Sequence, residues 1–132
     1  MSFLVDTNVL SELSRATPDA GVISWARGVT RIAVSVVTVD EVYFGLSWRP
    51  LPRVERWFES FLKSQCQVIP VTEEIARQSG LLRGRLKAGG STRTQADTVL
   101  AATAQVHALT LVTRNERDFE GCGVAVLNPF SG

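Results

Sequence analysis

Four carboxylates, Asp6, Glu41, Asp97 and Asp118, stand where this chain could do chemistry. Asp97 makes the strongest demand. It falls in QADTVLAATAQVHA, residues 95–108, which reads as a helix covered on both sides. At about 100° per residue, Leu100, Ala101, Ala104 and Ala108 share the face of Asp97, while Val99, Ala102 and Val106 line the opposite face. A lone ionised carboxylate in such surroundings is unfavourable unless a cation or hydrogen-bond donors compensate it. One answer is local, a first-turn Asp satisfied by backbone N–H groups. The other is a site shared with further acids.

The remaining acids fall at comparable places. Asp6 directly follows the apolar run Phe3-Leu4-Val5, Glu41 lies in the first turn after a second β-branched run, and Asp118 lies in the loop after a fourth. In an open parallel sheet, sites form outside the carboxyl ends of the strands, so one sheet edge can gather all four. Crowded carboxylates repel and raise one another's pKa unless a divalent cation neutralises them. With oxygen ligands and no spare His or Cys, the expected cation is Mg²⁺, with Mn²⁺ able to substitute. Held by Asp6, Glu41, Asp97 and Asp118, such an ion activates a water for in-line attack at phosphorus. Glu41 keeps a second, local reading, as the residue that returns a hydrogen bond to a capping Thr38.

The basic residues suit a phosphate. Between Ile75 and Ala96 there are five, Arg77, Arg83, Arg85, Lys87 and Arg93, with no acid, and Arg114 and Arg117 flank Asp118. Arg93 and Arg114, nearest the acids, are the candidates for substrate phosphate; the helical members also suit a solvated face.

The elements that must position these groups alternate. Residues 3–5 read as a strand and Asp6-Thr7-Asn8 as the cap of a helix reaching Leu13. After a turn at 16–21 comes a short helix ended by Gly28, a strand at 32–37, and a helix running from the capping-box pattern Thr38-Val39-Asp40-Glu41 to about Trp48. Val54, Trp57, Phe58, Phe61 and Leu62 space an amphipathic helix, and residues 68–71 a short or edge strand containing Pro70. A helix from 73 to about 88 stops at Gly89-Gly90, and a loop leads into the helix of Asp97. Strands at 109–113 and 124–127 follow, separated by a loop or single turn. This order predicts an α/β/α sandwich with a mostly parallel central sheet.

Composition narrows the class. The 132 residues suit one domain, 1–132, and their 45% hydrophobic and 20% charged content is that of an ordinary globular protein. A formal net charge of +1 excludes bulk cationic attraction to a polyanion, leaving local positive charge to do that work. Cys66 and Cys122 are isolated, without a CxxC, and His107 is the only histidine, so neither a zinc site nor a cysteine nucleophile is expected and His107 is assigned a structural role. No secretory segment or membrane-spanning apolar run is legible, which predicts a cytoplasmic protein with reduced thiols.

Taken together, DTNVLSEL at 6–13, TVDEVYFG at 38–45, ADTVLAATA at 96–104 and TRNERDF at 113–119 resemble the PIN-domain family, most nearly the VapC and FitB-like ribonuclease toxins of type II toxin-antitoxin pairs. The likeness covers essentially the whole chain and ends in VLNPF. It implies a Mg²⁺-dependent endoribonuclease in which Asp6, Glu41, Asp97 and Asp118 match the acidic metal cluster. It implies also that Thr7 and Asn115 match polar helpers that orient ligands or waters, with Asn8 in the same motif. Either Asn115 or Asp118 completes the metal site in related proteins. The resemblance further implies an RNA substrate and a homodimer bound by a cognate antitoxin, with a higher assembly in which the antitoxin binds DNA. One or two of Trp25, Trp48, Trp57 and Phe61 are then expected to face a partner. Leu100, where the family often has Ile, touches packing alone.

Two other readings are weighed against this one. An aspartyl-phosphate phosphatase needs a carboxylate two residues after the first, and position 8 is Asn. A non-catalytic RNA- or protein-binding module of the same fold would be marked by loss of an acid, and all four are present.

Overall fold

The computed structural model describes residues 2–132; Met1 lies outside them. In chain order the elements are β1 (Phe3–Val5), α1 (Thr7–Leu13), α2 (Ala20–Arg27), β2 (Ile32–Ser35), α3 (Val36–Trp48), α4 (Pro52–Gln65), β3 (Cys66–Ile69), α5 (Glu73–Ala88), α6 (Gln95–His107), β4 (Thr110–Val112), a single-turn 3-10 helix (Glu116–Phe119) and β5 (Val126–Leu127). The strands form one sheet in the order β3-β2-β1-β4-β5, and every pairing is parallel. Helices cover both faces, giving the α/β/α sandwich that the sequence pattern predicts.

Alternation along the strands divides the core in two. Leu4, Ala33 and Leu111 point to one face, where they meet Ile75 and Leu82 of α5 and Leu100, Ala101 and Ala104 of α6. Val5, Ile32, Val34 and Val112 point to the other, against Val9 and Leu10 of α1, Val22 of α2 and Phe58 of α4. Both faces are apolar, which is why these short strands read as continuous hydrophobic runs.

α6 is buried from Thr98 to Ala104 without interruption. Alanines let it lie close to the sheet and to α5, and its hydroxyls are satisfied within the helix pair: Thr103 Oγ1 donates to Val99 O at 2.7 Å, and Ser79 Oγ of α5 donates to Thr98 Oγ1 at 2.9 Å. Asp97 itself, at the third position after the Thr94 cap, is half-buried, so it borders the apolar stretch where the residue pattern predicts it inside.

Several boundaries differ from the spacing. β2 ends at Ser35, whose Oγ accepts from Val37 N at 3.1 Å, so α3 starts at Val36 and the capping box at Thr38 does not form. The apolar Val36-Val37 pair reads as strand, but a buried serine hydroxyl supplies the cap earlier and Val37 packs onto the core as a helical residue. Thr38 is then wholly buried within α3, and its hydroxyl has no hydrogen-bond partner among the described residues. β3 begins at Cys66 and ends before Pro70, on the sheet edge as Pro70 suggests. β4 and β5 are shorter than the runs that announce them.

Leu100, 1% exposed, stands at the centre of the α5–α6 face. Leu100→Ala is expected to destabilise the fold by about 3 kcal/mol, read from urea unfolding midpoints. A loss below about 1 kcal/mol would contradict the packing described.

Candidate active site

β1 and β4 lie side by side, yet the chain leaves β1 for strands on one side and β4 for the strand on the other, which makes their carboxyl ends the switch point of the sheet. Register then fixes the site. Val5 pairs with Val112, so Asp6 and Thr113 emerge together.

Asp6 is 7% exposed and caps α1. Its Oδ1 accepts from Thr7 N at 2.7 Å, and its Oδ2 accepts from Thr113 Oγ1 at 2.9 Å and Asn8 Nδ2 at 3.2 Å. Burial raises its pKa above the usual carboxylate range; these donors oppose that shift, and the charge of Asp118 adds to it.

Thr7 reaches across to α3, where its Oγ1 donates to Glu41 Oε1 at 2.8 Å. This contact replaces the local reading of Glu41, since Ser35 and not Thr38 caps α3 and no Thr38 cap N–H is there for Glu41 to accept from. At α6, Thr94 Oγ1 accepts from Asp97 N at 3.1 Å, and Asp97 sits in the first turn, where the helix dipole favours negative charge. Burial nonetheless raises the pKa of Asp97, and Asp118, Asp6 and Glu41 each push it the same way, against the Thr94 hydroxyl. Four acids from four different segments thus act on one another through space. Asp118 in the 3-10 helix and Glu41 on α3 are both exposed.

No basic side chain among the described residues pairs with them. The ion pairs there are Arg15–Glu12 and Arg77–Glu73, neither of which involves this cluster. Nor do the acids close into a shell: among the described residues no group of three or more His, Cys, Asp or Glu side chains is gathered tightly enough to ligate one ion directly. The donor set is open, all-oxygen and partly solvated. That suits a hard divalent ion which keeps several waters and takes one or two carboxylates directly.

The polar and basic residues sort themselves by contact. Asn8 links Asp6 to the loop after β4: its Nδ2 donates also to Thr113 Oγ1 at 3.2 Å, and its Oδ1 accepts from Arg114 N at 3.0 Å. Asn115 takes part through its backbone, with its N–H donating to Thr113 Oγ1 at 3.0 Å, while its side chain is exposed. Sequence reasoning misses Thr113, which is fully buried and bonded to Asp6; the one signal for it is a Thr at the end of a strand that could lie beside the first.

Arg93 donates to Glu120 O at 3.0 Å and Thr92 O at 3.3 Å, so its guanidinium ties two loops together. Arg114 has its guanidinium 4.7 Å from the centre of the Phe130 ring. Arg114 and Phe130 line a groove of about 710 Å³ that opens beside Thr7, Asn8 and Glu41 and continues past Leu46, Arg49 and Leu51. One side of it is α3, on which Phe44 and Trp48 are 71% and 72% exposed. Trp25, Trp57 and Phe61, by contrast, are half-buried against the core.

His107 is exposed at the end of α6, bordering a cavity with Ser2, Phe3 and Ile32 at the opposite edge of the sheet. Cys66 and Cys122 are both free thiols; burial pushes Cys66 up to about 12 and raises Cys122 as well. No helix among the described residues is long and apolar enough to cross a membrane.

Comparison with known proteins adds to this geometry. The chain is 32% identical over 135 residues to the VapC ribonuclease Y4jK of Sinorhizobium fredii, with 96% of each chain covered. It is likewise 32% identical over 135 residues to toxin FitB of Neisseria gonorrhoeae, covering 96% of this chain and 97% of that one. A solved toxin-antitoxin complex from Klebsiella pneumoniae superposes with a TM-score of 0.79 at 29% identity, covering 99% of this chain and 100% of the other. The family model for the PIN domain matches residues 3–122, and with it the acids of all four segments, so the chain belongs to the PIN-domain family.

Proposed function

We propose that this chain is a divalent-cation-dependent endoribonuclease that serves as the toxin of a type II toxin-antitoxin pair. The observation that carries the reading is electrostatic: the charge of Asp97 is opposed by Asp118, Asp6 and Glu41 together, with no basic side chain paired to any of them among the described residues. Relatives named as a VapC ribonuclease and as toxin FitB support RNA hydrolysis and the toxin role. The similar toxin-antitoxin complex supports an antitoxin partner.

In this reading Asp6, Glu41, Asp97 and Asp118 would hold Mg²⁺ or Mn²⁺. When bound, the ion supplies an activated water and charge neutralisation for in-line displacement at phosphorus. The chain's own residues set the geometry. Thr113, Asn8 and the Thr7 N–H lock the Asp6 carboxylate, so the innermost ligand does not need to reorganise. Thr7 aims Glu41 across the site, and the α6 N-terminus steadies Asp97. Arg114 receives the substrate phosphate. Arg93, already bonded to Glu120 O and Thr92 O, serves it less directly. Asn115 adds a water-orienting side chain. The functional unit is a homodimer bound by its antitoxin, and the exposed ring of Trp48 beside Phe44 is the aromatic surface offered to that partner.

Purified chain incubated with single-stranded RNA is expected to cleave it with Mg²⁺ or Mn²⁺ and to stop in EDTA. Asp97→Asn, prepared identically, is expected to lose activity on the order of a hundredfold or more. Cleavage that survives both EDTA and the variant would overturn the mechanism; a folded, metal-saturated chain that binds RNA without cutting any would indicate the binding module.

A second measurement reads the metal without activity. Asp6 and Asp97 have raised pKa values, so the folded state holds their protons more tightly than the unfolded state and loses stability as pH rises through those values. In EDTA at pH 7, Asp97→Asn is therefore expected to melt at a higher temperature than the parent chain, the difference closing as pH falls below the usual carboxylate range. Added Mg²⁺ is expected to raise the melting temperature of the parent more than that of the variant. Equal shifts in both would remove Asp97 from the ion's site.

A further inference from the structure

After β5 the chain runs back beside the site as a strap, residues 128–131, bonded at both ends. Asn128 Nδ2 donates to Glu116 Oε2 at 3.1 Å, and Asn128 Oδ1 accepts from Phe130 N at 3.0 Å. At the far end Ser131 N donates to Asp19 Oδ1 at 3.0 Å and Ser131 Oγ donates to Asp19 Oδ2 at 2.7 Å. The same Asp19 caps α2 by accepting from Gly21 N and Val22 N. These donors, Ser131 foremost, hold the Asp19 carboxyl below the usual range. The fit is close: a Cβ on Gly21 would stand 2.4 Å from Pro129 O and 2.8 Å from Ser131 N.

Between these anchors Phe130 is half-buried and packs against the apolar cluster of Val5, Val9 and Val112. The Arg114 guanidinium lies over that ring at 4.7 Å, while the Arg114 backbone N–H is fixed by Asn8. No carboxylate pairs with Arg114 among the described residues. Its fork of donors is therefore held in place by a ring, with its hydrogen-bonding capacity left for an anion, at a groove shared with Thr7 and Glu41.

We propose that Phe130, anchored by the strap, is a positioning residue that fixes the Arg114 guanidinium at the mouth of the acidic site, where it receives an RNA phosphate. The inference rests on the ribonuclease reading above. Fixing a long, flexible side chain before binding leaves less of its conformational freedom to lose when the phosphate arrives. An anchored ring thus gives the cleaved strand a set register relative to the acids.

The test is binding of a short fluorescent single-stranded oligoribonucleotide, followed by anisotropy over a range of KCl concentrations with Ca²⁺ replacing Mg²⁺ to suppress cleavage. Arg114→Ala is expected to weaken binding about tenfold and to lower the slope of log K against log salt by about 0.7, the loss of one phosphate contact. Phe130→Leu, which keeps apolar bulk, is expected to weaken binding about threefold, and Phe130→Tyr to restore it. In the Arg114→Ala background Phe130→Leu is expected to change nothing further. Ser131→Ala, which loosens the strap without touching the ring, is expected to weaken binding about twofold. Parent-like binding by Phe130→Leu, or the same threefold loss in both backgrounds, would overturn the positioning role and leave the ribonuclease reading standing. A parent chain that neither binds nor cuts RNA would overturn that reading, and the phosphate role of Arg114 with it.

Discussion

Repulsion among carboxylates is the constraint around which this molecule is arranged. Asp6 is nearly buried and Asp97 half so, and each feels Asp118; neither has a cationic partner among the described residues. A fold tolerates such a cluster only if other interactions hold the acids in place. Here that task falls to a small set of neutral donors. Thr113, Asn8 and the Thr7 N–H converge on Asp6, and the Thr7 hydroxyl fixes Glu41, so a network of hydroxyls and amides orients charge without cancelling it. Arginines in the same positions would neutralise the acids.

The sheet makes this arrangement possible. Parallel pairing of β1 with β4 places Asp6 beside Thr113, and the divergence of the chain on either side of that pair opens a crevice at their carboxyl ends. α6 brings its acid to the rim because the run that follows Asp97, from Thr98 to Ala104, is entirely buried. Small side chains along it allow close packing, and that packing fixes the helix N-terminus. The placement of Asp97 and the stability of the core are one problem at this helix.

Beyond the acids the surface divides by character. The groove beside Thr7 and Glu41 has α3 along one side and arginines among its lining, with Arg114 braced on Phe130. The Arg114 cation and the Glu41 carboxylate come from different segments and share one groove. The strap over α2 belongs to the same construction, since Asp19 both caps that helix and anchors the chain that carries Phe130.

Much of this is legible in the residue pattern, and the physical reasons differ from place to place. Strand and helix order follows from periodicity and from stops such as Gly28 and Gly89-Gly90, because local sterics and burial act over a few residues. That Asp6 and Asp118 follow strands and that Asp97 opens a helix is legible, because strand ends and helix caps are marked by neighbouring residues. The start of α3 is not, since Ser35 and Thr38 are both competent caps and only packing of Val37 chooses between them. The partners of the acids depend wholly on the tertiary structure: Thr7 with Glu41 spans 34 residues and Thr113 with Asp6 spans 107. So do the fates of the two arginines, one tied to Glu120 O and the other laid on Phe130. The sequence by itself determined which groups exist and which elements carry them, through short-range propensity and pattern. Which groups meet was decided by strand register and helix packing, because a hydrogen bond of about 3 Å is set by the placement of whole elements and not by the spacing of residues along the chain.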